Sequence, residues 1–523
     1  MLWSGWGDPA RATRLPDSVR GLLGDLLGVK SLDTPPVPRA EIVVPAGRVG
    51  DEAHAALAAA VGEHQVRVDA DSRIRHTRGK STPDLLRIRR GEVGAAPDAV
   101  VLPGTSDEVL AVLRVCTEHR IAVVPFGGGT SVVGGLAPAA DRVAAVVALD
   151  LRRLDRLVEV DPVSRTATLE PGLRAPRAEA LLREHGFTLG HFPQSFEWAT
   201  IGGFAAARSS GQASAGYGRF DEMVVALTVA TPRGSIDLGR APRSAAGPDL
   251  RQLVLGSEGA LGVITSVTVR VCPVPETSAY EGWRFPSFAA GTAAVRALAQ
   301  DGPLPTVLRL SDETETMIGL AEPGKIGSAQ PAGCLVIAGY EGTAADVADR
   351  QGKAHARLRA ADGEFLGPEP GEEWVRGRYA APYLRDALLD AGAFAETLET
   401  AAFWSGLPGL YEAVRHALTT SLTGAGAPPL IMCHVSHVYP AGAALYFTVV
   451  AADPGPDGWA AAKRAVGDAI IGAGGTISHH HGVGTDHRDW YAREIGPLGA
   501  EILRAAKDRL DPAGILNPGV LIP

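Results

Sequence analysis

The sequence predicts an α+β protein with two large domains, and three observations support this fold class. The chain has 523 residues, of which 46% are hydrophobic and 21% charged, enough apolar surface for several domain cores. A β-α-β pattern interrupted by glycine-rich loops begins near Pro97. After Val274-Pro275 the pattern changes to longer helices mixed with strands, which indicates a second domain.

Composition and charge narrow the class of protein. The formal net charge of −9 argues against nucleic-acid binding, which usually needs a basic face. No stretch reaches the roughly 18 consecutive apolar residues of a membrane span, and the N-terminus lacks the pattern of a secretory signal. The isolated cysteines Cys116, Cys272, Cys334 and Cys433 predict buried thiols in a reducing compartment. We therefore expect a cytoplasmic protein.

Residues 1–96 are interpreted as an N-terminal region that precedes the first domain. Helical patterns occur at Val19–Leu27 and Asp51–Val61, and a proline-rich linker covers Asp33–Pro38. The stretch Asp84–Arg90 is basic and amphipathic. A solvated helix face is favoured there, with contact to a membrane surface as the alternative.

The β-α-β unit begins with a strand at Ala99–Leu102. Ser106 is the expected N-cap of a helix over Asp107–Glu118, and the next strand, Ile121–Pro125, leads into a glycine-rich loop. Further predictions are strands at Val143–Asp150, Val158–Asp161 and Thr166–Glu170, a helix at Arg177–His185, a loop at Gly424–Pro429, and paired strands at Leu430–Val438 and Ala444–Val450.

The loop Phe126–Gly135 is the most informative segment, because five of the nine residues from Gly127 to Gly135 are glycine. Such a loop presents backbone N–H groups that bind phosphate or pyrophosphate, whereas a plain turn needs fewer glycines. It is not a Rossmann turn, since Val132 stands at the third glycine position. Gly79-Lys80-Ser81 is not a Walker A loop, because residue 74 is Ile, and it is interpreted as a basic loop.

Two further glycine-containing loops follow, at Pro193–Phe204 with Arg208–Gly211, and at Gly256–Thr265. In this order and spacing the three loops resemble the FAD-binding domain of the vanillyl-alcohol oxidase and p-cresol methylhydroxylase superfamily. The resemblance implies a two-subdomain FAD-binding domain of that type and an α+β cap domain built on an antiparallel sheet. The expected boundaries are 97–277 for the FAD-binding domain, 278–475 for the cap, and 476–523 for a C-terminal segment that completes the site.

The resemblance also implies which residues hold the cofactor. They are Pro125, Phe126, Gly127, Gly128, Gly129, Thr130 and Ser131 in the first loop; Gln194, Ser195, Glu197, Thr200, Gly203, Arg208, Ser209 and Ser210 in the second; and Glu258, Gly259, Gly262, Val263 and Ile264 in the third. Because Phe126–Gly135 contains neither His nor Cys, we expect FAD to be bound non-covalently.

The densest group of ionisable residues is His479, His480 and His481, followed by Asp486 and His487. If the segment continues the strand-like pattern before it, His479 and His481 share one face and His480 the other. Three interpretations stay open: a metal site of His479, His481 and His487 or Asp486, a proton-handling site, and a surface turn rich in histidine. No H-E-x-x-H motif supports a metal, so no metal ligand is assigned.

Three other polar residues lie in otherwise apolar patterns. Tyr446 falls in a strand pattern, where a half-buried core tyrosine is the alternative. Arg309 lies between aliphatic residues, so it either extends to solvent or meets an anion. Arg385 lies on a helix beside Asp386, where sequence neighbours are not expected to pair.

Nearly the whole chain resembles the alkyldihydroxyacetonephosphate synthase (alkylglycerone-phosphate synthase) family. The resemblance rests on Trp3-x-Gly5-Trp6-Gly7, Gly247-Pro248-Asp249, Gly256–Thr265, Arg309-Leu310, Tyr383-x-Arg385-Asp386, Phe394-x-Glu396-Thr397, Tyr446-Phe447 and His479–Gly484. It implies that the acyl chain of acyl-dihydroxyacetone phosphate is exchanged for a long-chain alcohol, in a redox-neutral reaction through an adduct at flavin N5, as in ether lipid synthesis.

The family picture also implies roles for individual residues. Tyr446 would remove a proton from the substrate carbon, Arg385 would bind the phosphate, and Arg309 would be a further active-site cation. The histidines 479–481 would handle the proton of the alcohol. The lipid substrate leaves peripheral membrane contact and a homodimer open.

The sequence also departs from the family pattern. Gln194 stands where the family often has Asp, and His434 and His437 replace other polar residues near Tyr439. No peroxisomal signal is present, which favours a bacterial-type cytoplasmic relative. The alternatives are an FAD-linked 2-hydroxy-acid dehydrogenase or oxidase on the same fold, and a non-enzymatic flavin-binding or metal-storing protein.

Overall fold

A computed structural model describes residues 1–30, 33–140, 143–319, 332–423 and 427–523. The loop expected at Gly424–Pro429 lies partly outside these ranges. No helix within them is both long enough and apolar enough to cross a membrane. Cys116, Cys334 and Cys433 are buried as expected, whereas Cys272 is half-buried.

The N-terminal region contains helices and one short strand, at α1 (Asp17–Leu27), α2 (Asp51–Val61), β1 (Val66–Arg67), α3 (Ala70–Arg75) and α4 (Thr82–Arg89). The solvated face expected for Asp84–Arg90 is narrow: Arg87 and Arg90, three residues apart, are exposed, whereas Asp84, Leu85, Ile88 and Arg89 are buried. Helix α4 is anchored to the second half of the chain, where Thr82 Oγ1 donates to the carbonyl of Ala395 over 2.5 Å.

The first subdomain contains a four-stranded sheet in the order β1-β2-β4-β3. Strand β1 pairs antiparallel with β2 (Ala99–Val101), the other strands are β3 (Ile121–Phe126) and β4 (Ala145–Asp150), and α5 (Ser106–Glu118) connects β2 to β3. Strand β4 lies between β2 and β3 and runs parallel to both. The N-cap of α5 is Thr105 rather than the expected Ser106, because its hydroxyl accepts from the Glu108 amide at 3.1 Å. The chain end joins this sheet, since Val123 N–H donates to the Ile515 carbonyl.

The second subdomain is a five-stranded antiparallel sheet in the order β5-β6-β10-β8-β9. Its elements are β5 (Leu157–Asp161), β6 (Thr166–Leu169), α6 (Ala175–Glu184), β7 (Phe187–Thr188), α7 (Ile201–Ala207), α8 (Ser214–Tyr217), α9 (Phe220–Met223), β8 (Val224–Thr231), β9 (Gly234–Leu238), α10 (Arg251–Val254), β10 (Val263–Arg270) and β11 (Cys272–Pro273). Strands β7 and β11 pair separately.

The remaining chain builds a seven-stranded antiparallel sheet in the order β15-β12-β14-β13-β17-β18-β16. Its elements are β12 (Thr277–Phe285), α11 (Phe288–Asp301), β13 (Val307–Ser311), α12 (Glu313–Ile318), β14 (Cys334–Gly342), α13 (Ala344–Ala360), β15 (Glu364–Gly367), α14 (Glu369–Gly377), α15 (Ala381–Asp390), β16 (Ala393–Phe403), α16 (Leu407–Leu422), β17 (Leu430–Val438), β18 (Gly442–Ala452), α17 (Gly455–Gly472) and α18 (Arg488–Leu510). The predicted pairing of Leu430–Val438 with the following strand is confirmed, as is the α+β class with an antiparallel second sheet.

The two faces of this large sheet differ: one packs against helices in the core, and the other lines a cavity. In β13 the side chains of Leu308 and Leu310 pack into the core beneath α11, α13, α16 and α17. The alternating residues Val307, Arg309 and Ser311 line a cavity on the opposite face. Because strand side chains alternate between faces, one strand supplies both core and cavity wall.

Candidate active site

A cavity of about 630 Å³ lies between the glycine loops and the seven-stranded sheet. Its first wall is formed by Pro125–Ser131 of the first loop, together with parts of the second and third loops. Its second wall carries the polar residues of the sheet, among them Arg309, His434 and Tyr446. The cavity therefore brings together segments that are more than 300 residues apart in sequence.

The three consecutive glycines of the first loop, Gly127–Gly129, bring backbone without side chains to the cavity. A Cβ on Gly128 would overlap the carbonyl oxygen of Trp198 and lie 2.9 Å from the Cα of Ala199. Gly129 has φ +69°, in the left-handed region that favours glycine. The loop thus brings peptide groups close to the cavity, as the binding of a pyrophosphate requires.

Replacing Gly128 with Ala is expected to abolish cofactor binding, because the new methyl group overlaps backbone that has no room to move. We expect the purified variant to lose at least about 90% of its flavin absorbance. Gly21→Ala is the matched control, since nothing lies within 4 Å of a Cβ there. Wild-type flavin content in the Gly128 variant would contradict this account of the loop.

The second and third loops supply the rest of the first wall. The residues on the cavity are Gln194, Ser195, Thr200, Gly203, Ser209 and Ser210 from the second loop, and Glu258, Gly259, Gly262 and Ile264 from the third. The buried Nε2 of Gln194 has no hydrogen-bond partner among the described residues. A free buried amide donor next to a glycine cradle fits a polar cofactor such as FAD. Asn517 connects the loops by donating to the carbonyls of Gly135 and Glu258 at 2.9 and 2.7 Å.

Three residues expected at the cofactor lie off the cavity. Glu197 binds Arg11 and accepts from the Tyr383 hydroxyl at 3.3 Å. Arg208 donates to the Leu255 carbonyl at 2.9 Å. Val263 is a buried strand residue whose side chain packs in the first-subdomain core. These residues support the loops from behind, because their side chains are held by neighbouring segments.

The three consecutive histidines form a tight turn, not the expected strand with alternating faces. Their backbone N–H groups all donate to one carboxylate, that of Glu399, at 2.7, 3.1 and 2.9 Å for His479, His480 and His481. The Ser478 hydroxyl adds a fourth bond at 2.7 Å. Burial raises the pKa of Glu399, but the neighbouring histidines and these N–H donors hold it well below its usual value.

The imidazole rings of His480 and His481 face Tyr446 in the cavity, which excludes a surface turn. The Tyr446 ring lies edge-on to His481, with 5.5 Å between centroids, and is stacked on His434 at 5.0 Å. His480 and His481 line the cavity, whereas His479 lies behind them with its Nε2 2.6 Å from the Tyr439 hydroxyl. Burial raises the pKa of Tyr446 to about 12 and lowers that of His481 to about 3. Both side chains are therefore neutral near pH 7.

The metal ligand set considered from the sequence does not assemble. His487 Nδ1 lies 3.0 Å from the Gly482 carbonyl, and Asp486 accepts from Lys463 at 2.7 Å. Both side chains are engaged away from the turn of the three histidines.

Arg309 meets an anion instead of extending to solvent. Its guanidinium donates to Glu315 at 2.6 Å and lies 3.0 Å from Nδ1 of His434. Burial opposes ionisation of Glu315, but the charges of His434 and Arg309 bring its pKa below the usual value. This network places the Arg309–Glu315 ion pair on the cavity wall, next to His434, whose ring stacks on that of Tyr446.

Arg385 also lines the cavity, and it pairs with its neighbour against expectation. Its guanidinium donates to Asp386 at 3.1 Å and to the Lys80 carbonyl at 2.6 Å, because the side chain folds back over its own turn. Lys80 lies in the expected loop but is buried, and its Nζ donates to the carbonyls of Leu2 and Trp3. Burial lowers the pKa of Lys80 to about 8.

The N-terminal segment belongs to this site, which the sequence did not indicate. Trp6 lines the cavity, and its backbone N–H donates to Asp386. The sequence also did not indicate that the carboxylates Glu399 and Glu315 belong to the site. Glu396 and Glu399 interrupt the apolar pattern of β16, and a carboxylate within an apolar strand is the feature that could have indicated a functional role.

Two similar proteins decide the family. The chain is 32% identical to the alkyldihydroxyacetonephosphate synthase of Trypanosoma brucei brucei, over 100% of this chain and 92% of that protein. It is 34% identical to the Dictyostelium discoideum enzyme of the same name, over 88% of this chain and 79% of that protein. The chain belongs to the alkyldihydroxyacetonephosphate synthase family.

Structure and domain comparisons agree with the alkyldihydroxyacetonephosphate synthase family. A solved alkyldihydroxyacetonephosphate synthase superposes with a TM-score of 0.84 at 30% identity, covering 99% of this chain and 98% of that one. Residues 97–238 match the FAD binding domain family, and residues 274–521 match the C-terminal domain of FAD linked oxidases. The predicted cofactor, FAD, is thereby confirmed.

Proposed function

We propose that the protein exchanges the acyl chain of acyl-dihydroxyacetone phosphate for a long-chain alcohol, as in ether lipid synthesis. One observation carries the proposal: Tyr446, two of the three histidines, Arg309 and Arg385 face the glycine loops across one cavity. FAD supplies, when bound, an electron-accepting ring that stabilises negative charge on a substrate carbon. The exchange is redox-neutral, so the protein itself needs proton carriers and a phosphate site.

Tyr446 is the proposed base for the substrate carbon. The fraction of Tyr446 that has released its proton to solvent before the substrate closes the cavity is a strong base, because the pKa of this phenol is about 12. Burial and the carboxylates Glu396 and Glu399 oppose that loss, whereas the charge of Arg385 favours it. A cavity closed by substrate excludes water and strengthens the influence of that charge.

The histidine turn is the proposed acceptor of the alcohol proton. Burial keeps the ring of His481 neutral, so it offers a lone pair to this proton. The four bonds to Glu399 fix the turn before substrate arrives. The rings therefore need little rearrangement during proton transfer.

Arg385 is the proposed phosphate ligand, and Arg385→Lys tests this role. A lysine keeps the charge but loses the planar fork that fits phosphate oxygens. We expect KM for acyl-dihydroxyacetone phosphate to rise about tenfold or more while kcat changes less. The exposed residue Arg87, changed to Lys, is the control. An unchanged KM in Arg385→Lys would show that Arg385 does not bind the phosphate.

The cofactor residues and the cellular setting are part of the same proposal. Residues of the three loops that line the cavity hold FAD, non-covalently because the first loop offers neither His nor Cys. The proposed location is the cytoplasm, and because the substrates are lipids we propose peripheral membrane contact as well. A homodimer is the assembly to examine first, by light scattering.

Anaerobic spectroscopy separates this function from that of an FAD-linked 2-hydroxy-acid dehydrogenase. A dehydrogenase transfers electrons to its flavin, so D-lactate would bleach the visible absorbance. We expect the absorbance to stay that of oxidised flavin with D-lactate, and alkyl product to form when acyl-dihydroxyacetone phosphate and fatty alcohol are supplied. Bleaching by D-lactate without alkyl product would favour the dehydrogenase.

A further inference from the structure

We propose that His437, His479 and His480 form a binding site for one divalent transition-metal ion of the Zn²⁺ class. One ring nitrogen from each residue lies within 4.8 Å of the other two. The Nδ1 atoms of His479 and His480 are 3.0 Å apart. Zinc–nitrogen bonds of about 2.0–2.1 Å place tetrahedral ligand atoms roughly 3.3 Å apart, so small ring movements complete the site.

His437 supplies the second, independent observation. Its Nδ1 lies 2.8 Å from the Ser436 hydroxyl. Its Nε2 is buried and has no hydrogen-bond partner among the described residues. The side chain is only 6% exposed, so this nitrogen is also shielded from bulk water. An unpaired ring nitrogen at such a position costs free energy unless it binds something. Its ring lies 4.9 Å from that of His479 and 5.1 Å from that of His480.

The surroundings orient the ligands as second-sphere groups do in zinc sites. His479 Nε2 lies 2.6 Å from the Tyr439 hydroxyl, so a proton on Nε2 leaves the lone pair of Nδ1 for the metal. Glu399 lies 3.6 Å from Nδ1 of His480 and supplies a nearby negative charge. His434, which also lines the cavity, has different partners: its Nδ1 lies near Arg309 and Glu315.

The open coordination position would face the cavity, because His437 and His480 both line it. Three histidines plus one exchangeable ligand is the arrangement of catalytic rather than structural zinc. The identity of the fourth ligand rests on the proposed function: this ligand is the alcohol. Its oxygen would bond the metal, its O–H bond would break, and the proton would pass to a ring nitrogen of His481, which lines the same cavity. A metal-bound hydroxyl loses its proton far more easily than a free one.

Metal analysis of the full-length FAD-containing protein tests the site. After incubation with Zn²⁺ and removal of excess metal, we expect about one Zn²⁺ per chain by mass spectrometry. His437→Ala should lower this value at least tenfold with flavin content unchanged. The exposed residue His416, changed to Ala, should retain the metal. Less than a tenth of an equivalent in the wild type, or full retention in His437→Ala, would overturn the site.

Cobalt separates the site from its proposed use. Co²⁺ bound by the three histidines should give visible ligand-field bands that shift when a fatty alcohol is added. Bands that do not respond to the alcohol would overturn the alcohol as fourth ligand. The Co²⁺ spectrum needs no turnover, so it distinguishes failure of the metal site from failure of the exchange reaction.

Discussion

The Tyr446→Phe variant is expected to exchange acyl for alkyl chains about 10³-fold more slowly than the wild type while binding FAD normally. The substitution removes the only group on this stretch of β18 that can take a proton from the substrate carbon. It keeps the ring that is stacked on His434 at 5.0 Å. The measurement is the initial rate of alkyl product formation, normalised to flavin content.

A matched tyrosine outside the cavity controls for loss of a phenolic hydroxyl. The Tyr411 hydroxyl donates to Asp312 at 3.1 Å on the helix-covered side of the sheet. We expect Tyr411→Phe to change the exchange rate less than about threefold, with at most a modest loss of stability. If both variants exchange at the wild-type rate, Tyr446 is not the base.

Removing the Glu399 side chain is expected to cause the largest loss of stability. In Glu399→Ala, the backbone N–H groups of His479–His481, the first of them buried and the others partly buried, lose their acceptor together with the Ser478 hydroxyl. We expect the free energy of unfolding, measured in urea, to fall by about 3–5 kcal/mol. Exchange activity should fall as well, because the histidine turn is no longer fixed.

Glu399→Gln and a surface glutamate make this prediction specific. The amide of Gln accepts hydrogen bonds only at its oxygen, so its stability should lie between the wild type and Glu399→Ala. Glu501 is exposed, and its change to Ala should shift stability by less than about 0.5 kcal/mol. A Glu399→Ala variant as stable as Glu501→Ala would mean that the carboxylate does not hold the turn.

Much of the fold was predictable because its signals are local. The β-α-β unit is predicted by two apolar runs separated by a helix with an N-cap residue. Helix α2 has the bounds expected from its alanine-rich pattern. Strands β17 and β18 alternate between core and cavity, a period that the sequence displays directly. The ligand-binding role of the loop Phe126–Gly135 was predictable because glycines occupy the positions where backbone approaches a ligand closely.

The rest of the site depends on long-range contacts that no local pattern encodes. Lys80 looks like a surface residue until the N-terminal carbonyls of Leu2 and Trp3 cover it. The strand expected at the histidines became a turn because Glu399, about 80 residues earlier in the chain, accepts their N–H groups. Such contacts are set by packing of the whole domain, which overrides local propensity.

The most direct test of the central claim supplies the purified protein with palmitoyl-dihydroxyacetone phosphate and a labelled long-chain alcohol, without any electron acceptor. We expect labelled alkyl-dihydroxyacetone phosphate and free palmitate in equal amounts, with the flavin oxidised before and after the reaction. Palmitate release without labelled ether product, or a product that forms only when an electron acceptor is added, would contradict this claim.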